Sequence, residues 1–401
     1  MNRSAAADVL DRPAVLGGNP VFASALPFLR PSLAPLRDLL PGLERLWSGG
    51  TLTNHGPLEQ AFTRALASRL GAAVACTASG TTALMVACRA LGLHGEVLLP
   101  ALTFTATGLA PLWAGCRLRF VEVRKEDGTL DPAACAAAIG PQTEAILAVH
   151  LFGNPCDRPA LEALAERHGL ALIFDAAHAF GSVYADGRPV GQGGRLEAFS
   201  FHATKVLPLG EGGAVAGLAP DLVDRSAELL NFGQASRLDG SRRLGLNGKM
   251  QEWNALVGLA ALPLVDDWIR RRQDLAAAYR RGLSPLPGID LLRSQGGSRS
   301  NGQYLALRVD AVGFGLDAGQ LATALAAEGV PTQRYFQVPL HRQEVFAAAS
   351  DARLTVTETL ASQLLCLPLY PELAADHVDA VCRALRRIHR HGRQIQLAGS
   401  R

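Results

Sequence analysis

The sequence predicts an α/β protein with a large domain built on a mostly parallel sheet and a smaller C-terminal α/β domain. Three observations point there. From about Ala72 to Val215, short apolar runs alternate with helical stretches, the pattern of a parallel sheet wrapped by helices. After Gly217 the character changes to long amphipathic helices, followed by a second α/β piece from about Gly288. At 401 residues, 48% hydrophobic and 19% charged, the chain is long enough for more than one domain and a large core.

Taken in order, residues 1–25 form an N-terminal extension, 26–265 the large domain and 266–401 the small one. The opening "MNRSAAADVLDRPAVLGG" has acidic residues and a proline where a secretory peptide needs an unbroken apolar core. The strands of the large domain are read in "AAVAC", "EVLLP", "RLRFVEV", "AILAVHLFG", "LALIFDAAH" and "AFSFH", with the apolar run Gly213 to Leu218 after them. Between them, "TTALMVACRALGL" has apolar residues at helical spacing and ends in glycine, and "DRPALEALAERHGL" adds a proline near its start; both read as crossover helices. "QEWNALVGLAALPLVDDWIRRRQDLAAAYRRGL" is the clearest stretch of the helical section. The C-terminal part offers strands "QYLALRV" and "LLCLPLY" and helices "AGQLATALAAEG" and "ADHVDAVCRALRRIHR". The tail "HGRQIQLAGSR" is expected to fray. With no internal repeat and no low-complexity linker, the two domains are expected to pack closely.

A formal net charge of +3 provides no basic stripe of the kind nucleic-acid binding requires. Seven cysteines, without a CxxC pair or metal-ligand spacing, suit reduced thiols in the cytoplasm better than a disulfide framework, and no metal is expected. Arg89, His94 and Glu96 interrupt the longest apolar region before it reaches the roughly 18 to 20 residues of a membrane span. No membrane role is expected.

Three motifs at strand ends carry the chemistry. In "TASGTTAL", Thr77 to Leu84, a strand passes into a helix whose free N–H groups and dipole suit a phosphate; Gly80 allows close approach and Thr81 adds a hydroxyl, although such a turn also serves as simple capping. In "LIFDAAHAFG", Asp175 ends a wholly apolar strand, where open α/β sheets bind ligands, and burial there demands a cation or several hydrogen bonds. The alternative is a helix N-cap. In "SFHATKVLPLGEGGAV", Lys205 is a single ammonium among small and apolar residues: burial depresses its pKa and frees the amine to form a Schiff base, unless the side chain snorkels to solvent. Pyridoxal 5′-phosphate (PLP) needs all three parts, a phosphate cradle, an acid for the pyridine nitrogen and a lysine. Phe104 in "ALTFTATGLA" offers a face to stack on the ring, or a core residue. Spacing alone leaves a PLP enzyme and a nucleotide-binding α/β enzyme both open.

The ordered set "LTNHGPLEQAF", "SGTTAL", "TFTAT", "HLFGNPCD", "FDAAHAFG", "SFHATKVLPLGEGGAV", "NFG", "GLNGKMQEWNALVGL" and "CLPLYPEL" resembles the DegT/DnrJ/EryC1/StrS group of PLP-dependent sugar aminotransferases, fold type I, from about Leu26 to Leu369. The resemblance implies a mostly parallel seven-stranded sheet between helices. It makes Lys205 the Schiff-base lysine and the acid–base that moves a proton between the amino donor's Cα and C4′ of the cofactor. Asp175 pairs with the pyridinium nitrogen, His178 lies beside the ring hydroxyl, and Phe104 stacks on the ring. Gly80, Thr81 and Ser200 bind the phosphate, which Asn247 of "GLNGKM" reaches from the neighbouring subunit of a homodimer; read alone, an Asn before Gly is a plain turn residue.

Lys205, where dehydratase relatives carry histidine, favours amino transfer. "NGKM" departs from the commoner "NxRM" and, with "LTNHGP" and "GNPCD", is similar to the branch that aminates C4 of dTDP-4-keto-6-deoxy-D-glucose. The implied donor is L-glutamate and the implied acceptor a keto sugar nucleotide, with Tyr335 and His341 of "QRYFQVPLH" as candidate sugar contacts. A 3-keto sugar nucleotide, a cyclitol ketone, a dehydration or a non-catalytic regulator are the alternatives.

Overall fold

The computed structural model describes residues 12–235, 240–294, 296–349 and 353–399. Residues 1–11 of the expected N-terminal extension and residues 400–401 of the tail lie outside them. Seven strands form the main sheet: β1 (Ala73–Thr77), β2 (Glu96–Pro100), β3 (Arg117–Val121), β4 (Thr143–Val149), β5 (Ala171–Asp175), β6 (Leu196–Ser200) and β7 (Gly213–Gly217), in the order β1-β7-β6-β5-β4-β2-β3. The run from β6 through β5, β4 and β2 to β3 is parallel, as the alternating pattern requires. β7 is antiparallel to both neighbours, because no crossover helix separates it from β6.

The strands alternate their side chains between two buried faces. Ile173, Leu196, Ala198 and Val215 pack with the helices Gly80–Ala90, Thr105–Trp113 and Pro220–Leu230, while Phe199, Ala214 and Ala216 face Phe62, Leu66 and Val265 from the other side. Two-sided burial explains why these strands read as continuous apolar runs. Buried Glu252 ties this second layer together: its carboxylate accepts the backbone N–H groups of Leu58 and Glu59, satisfying the start of the helix Pro57–Leu70.

"QEWNALVGLAALPLVDDWIRRRQDLAAAYRRGL" forms two helices, Glu252–Ala261 and Val265–Leu283, joined by a 3₁₀ turn at Leu262–Leu264 that holds Pro263, a residue unable to supply a helical N–H. Beyond it lies a three-stranded antiparallel sheet of β8 (Ile289–Leu291), β9 (Leu305–Val309) and β10 (Leu364–Leu367), in the order β10-β9-β8. The helices Ala318–Ala327 and Ala375–Arg390 and part of Val265–Leu283 cover it. β8 has only three residues and left no apolar run to read.

The expected fraying of the C-terminal tail is corrected. Gly392–Gly399 is a helix, and Ile395 is buried in the same cluster as Leu385 and Ile388, with Val15 and Leu16 against it. Ahead of the main sheet in sequence, Ala14 and Val21 donate their N–H groups to the buried Glu328 carboxylate, which also pairs with Arg387. Among the described residues, no helix is long and apolar enough to cross a membrane.

Candidate active site

The C-terminal ends of the parallel strands open on one cavity of about 480 Å³. Strand ends are where backbone groups and loop side chains stay free of ladder pairing, which makes this edge the ligand-binding edge of an open α/β sheet. Gly80, Thr81, Phe104, Asp175, His178, Ser200, Lys205 and Tyr335 all line it, so eight of the ten residues singled out in the sequence meet there.

Lys205 sits on the excursion between β6 and β7, whose ends are closed by the pairing of Ser200 with Gly213. The loop folds back on itself through Phe201 N–H to Gly212 O, Leu209 N–H to Phe201 O and Ala203 N–H to Gly210 O, each 2.8 Å. Gly210, at φ 84°, supplies the left-handed turn. Burial lowers the Lys205 pKa from 10.5 to about 8, against the opposing charge of Asp175. Lys205 is half-buried and lines the cavity.

Asp175, the last residue of β5, is buried, which pushes its carboxyl up. Thr107 Oγ1 donates to its Oδ2 at 2.7 Å and the Ala177 N–H to its Oδ1 at 3.0 Å. The Ala177 bond has the geometry of the N-cap alternative, but no helix follows; the carboxylate faces the cavity instead. His178 stacks on Phe152 with the rings 5° from parallel, and its Nδ1 accepts the Phe152 N–H at 3.3 Å. That bond assigns the ring proton to Nε2. Burial, with Lys205 nearby, holds His178 well below its ordinary pKa and so neutral.

The anion cradle is the start of the helix Gly80–Ala90. Ser79 caps it, its Oγ accepting the Thr82 N–H, and Ala83 N–H binds Ser79 O; the Gly80 and Thr81 amides, the first two of the helix, have no intrahelical acceptor. A Cβ on Gly80 would lie 2.7 Å from Ser200 Cβ, so only glycine brings this helix start against the end of β6. Two amides, a hydroxyl, an amine and a buried carboxylate are the donor set that a phosphorylated pyridine aldehyde needs. Phe104 is 63% exposed at the cavity wall, which rules out its core alternative in this chain.

Two residues fall elsewhere. His341 is corrected as a sugar contact: it is buried against Phe120, its Nε2 is 3.0 Å from Glu358 Oε1, and it does not line the cavity. Asn247 is exposed outside the cavity of its own chain, with its Oδ1 accepting from Lys249 Nζ at 2.7 Å. Conversely, Thr103, His202, Glu211, Tyr304 and Phe336 line the site without having been singled out. Thr107 was missed as well: no helix was read in "ALTFTATGLA", so nothing local marked which of its threonines turns inward. Tyr304 meets Tyr335 with ring centroids 4.7 Å apart, a contact between distant segments that no local pattern encodes.

A model of the DegT/DnrJ/EryC1/StrS aminotransferase family matches residues 38–386. The chain is similar to dTDP-4-amino-4,6-dideoxy-D-glucose transaminase of Shigella dysenteriae, 33% identical over 371 residues that cover 92% of this chain and 99% of the relative. It is also similar to dTDP-3-amino-3,4,6-trideoxy-alpha-D-glucose transaminase of Streptomyces venezuelae, 36% identical over 77% of this chain and 80% of that one. A crystal structure of DesI in the presence of its TDP-sugar product matches with a TM-score of 0.91 at 36% identity, covering 98% of this chain and 100% of that chain.

Proposed function

Since this chain belongs to the DegT/DnrJ/EryC1/StrS aminotransferase family, we propose that it moves the amino group of L-glutamate to C4 of dTDP-4-keto-6-deoxy-D-glucose, giving dTDP-4-amino-4,6-dideoxy-D-glucose. It is a PLP-dependent sugar-nucleotide aminotransferase. When bound, the cofactor supplies the electron sink that lets an amino acid give up its α-proton. The observation that carries the reading is the meeting of Lys205, Asp175 and the open helix start at Gly80 in one cavity.

The protein's own groups then divide the work. With its pKa near 8, roughly a tenth of Lys205 is neutral at pH 7, enough to act as nucleophile and to take the donor's α-proton. Asp175 keeps a proton on the ring nitrogen, and His178 donates Nε2–H to the ring oxygen. The Gly80 and Thr81 amides and the Ser200 hydroxyl hold the phosphate, Phe104 covers the ring face, and Tyr335 meets the sugar.

Asn247 completes the phosphate shell of a second copy in a homodimer. Two features support this: Asn247 stands outside its own cavity, and Leu36, Leu40 and Trp47 on the helix Leu36–Gly49 leave apolar surface for a partner to cover. The cytoplasm is the compartment this reading assigns, supported by seven cysteines that are all free and buried.

The test is incubation with PLP, glutamate and a panel of 4-keto and 3-keto dTDP sugars, followed by NMR of the product. An amine at C4 with the 4-keto substrate is expected. An amine at C3 would select the second reading, favoured by the similarity to the 3-amino transaminase. No amino sugar from any member of the panel overturns the proposal.

A further inference from the structure

Asp175 is held by a hydroxyl chain whose direction can be worked out. An ionised carboxylate only accepts hydrogen bonds, so the proton between Thr107 Oγ1 and Asp175 Oδ2, 2.7 Å apart, is the threonine's. Thr103 Oγ1 is 2.8 Å from Thr107 Oγ1. Because Thr107 has spent its single proton on Asp175, the proton in that second contact belongs to Thr103. The chain runs Thr103 to Thr107 to Asp175, every donor pointing at the carboxylate.

The placement runs against local preference. A threonine inside a helix commonly bonds back to the carbonyl four residues earlier, and a β-branched residue is a poorer helix former than alanine. Thr107, in the helix Thr105–Trp113, turns its hydroxyl to another strand end instead, and at 0% exposure no bulk water can replace it. Burial pushes the Asp175 carboxyl up, and the Thr107 bond is the largest opposing influence, ahead of the Ala177 amide and the charges of Lys205 and His150. Neutral His178 lines the same cavity.

We infer that Thr107, backed by Thr103, is a positioning residue that keeps Asp175 ionised as the partner of the cofactor's ring nitrogen, an inference that rests on the aminotransferase reading above. Thr107→Val removes the hydroxyl at nearly constant volume, and Thr107→Ser restores it. Two measurements follow.

In the apoprotein, infrared difference spectra against the matching Asp175→Asn proteins follow the carboxyl band across pH. The midpoint is expected to rise by about one pH unit in Thr107→Val, corresponding to loss of a hydrogen bond to a charged group, and to return in Thr107→Ser. In the holoprotein, ¹⁵N-labelled PLP reports the proton on its ring nitrogen: Thr107→Val should lose that proton at lower pH than wild type. Its kcat should fall about tenfold while KM for the keto sugar barely moves. A Thr107→Val protein with native circular dichroism and an unmoved carboxyl midpoint overturns the inference, as does a midpoint that rises but is not restored by serine. Should Thr107→Val not fold, Thr103→Val removes the donor behind Thr107 and must shift the midpoint in the same direction. If the apoprotein midpoint moves as expected but wild type takes up no PLP, the hydroxyl chain stands and the aminotransferase reading falls.

Discussion

At the scale of single residues, the protein has put one base and one acid in the same cavity and separated their tasks by environment. Burial lowers the pKa of Lys205 and raises that of Asp175, and hydrogen bonds from Thr107 and Ala177 oppose the shift at Asp175. Two expectations belong here. The folded Lys205 pKa, about 8, is below its ordinary 10.5, so between these values the unfolded apoprotein binds more protons and folding is favoured as pH rises. Lys205→Met removes this dependence: the stability gap between variant and wild-type apoprotein should be widest below pH 8 and close toward pH 10.5, as followed by urea denaturation. The same variant should have no turnover. Asp175→Ala should slow proton transfer by roughly 2 to 4 kcal/mol of activation free energy, the range for losing one preorganised electrostatic contact, while PLP affinity falls much less. Equal losses in single-turnover rate and affinity would mean that Asp175 is only structural.

At the scale of elements, the site depends on how closely the helix Gly80–Ala90 approaches the end of β6. Gly80 is the contact point, and β7 passes below it at Gly213, where a Cβ would lie 2.6 Å from Phe199 O and 2.7 Å from Ser79 C. Neither position has room for a methyl group. Gly80→Ala should therefore push the helix start away from Ser200, costing about 1 to 3 kcal/mol of stability for overpacking and lowering PLP affinity with it. Spectroscopic titration with PLP and chemical denaturation read the two effects separately. A variant with wild-type affinity would remove the Gly80 amide from the phosphate site.

At the scale of the whole molecule, the proposed site is completed by a second copy. Lys249 Nζ donates to Asn247 Oδ1 and lies 4.8 Å from the centre of the Phe232 ring, so the oxygen of Asn247 is occupied and its NH₂ is the end left to present to a phosphate. Co-expressed Lys205→Ala and Asn247→Ala chains should regain activity, because each mixed dimer contains one site with both residues intact. With random pairing, roughly a quarter of all sites are whole. No recovery in purified mixed dimers would place Asn247 in its own chain's site or in none. The sequence alone determined the class of fold, since strands buried on both faces must be apolar throughout and their connections must be helical. It also marked Lys205, Asp175 and Gly80 as candidates, because each breaks the local pattern near a strand end. It could not determine that His341 would be drawn to Glu358, that Ile395 would be buried beside Leu385, or that Thr107 would reach Asp175 across 68 residues of chain. Those contacts join residues that belong to different elements. A residue's neighbours along the chain set its conformational preference, but only packing of the finished sheet and helices decides which distant group shares its space.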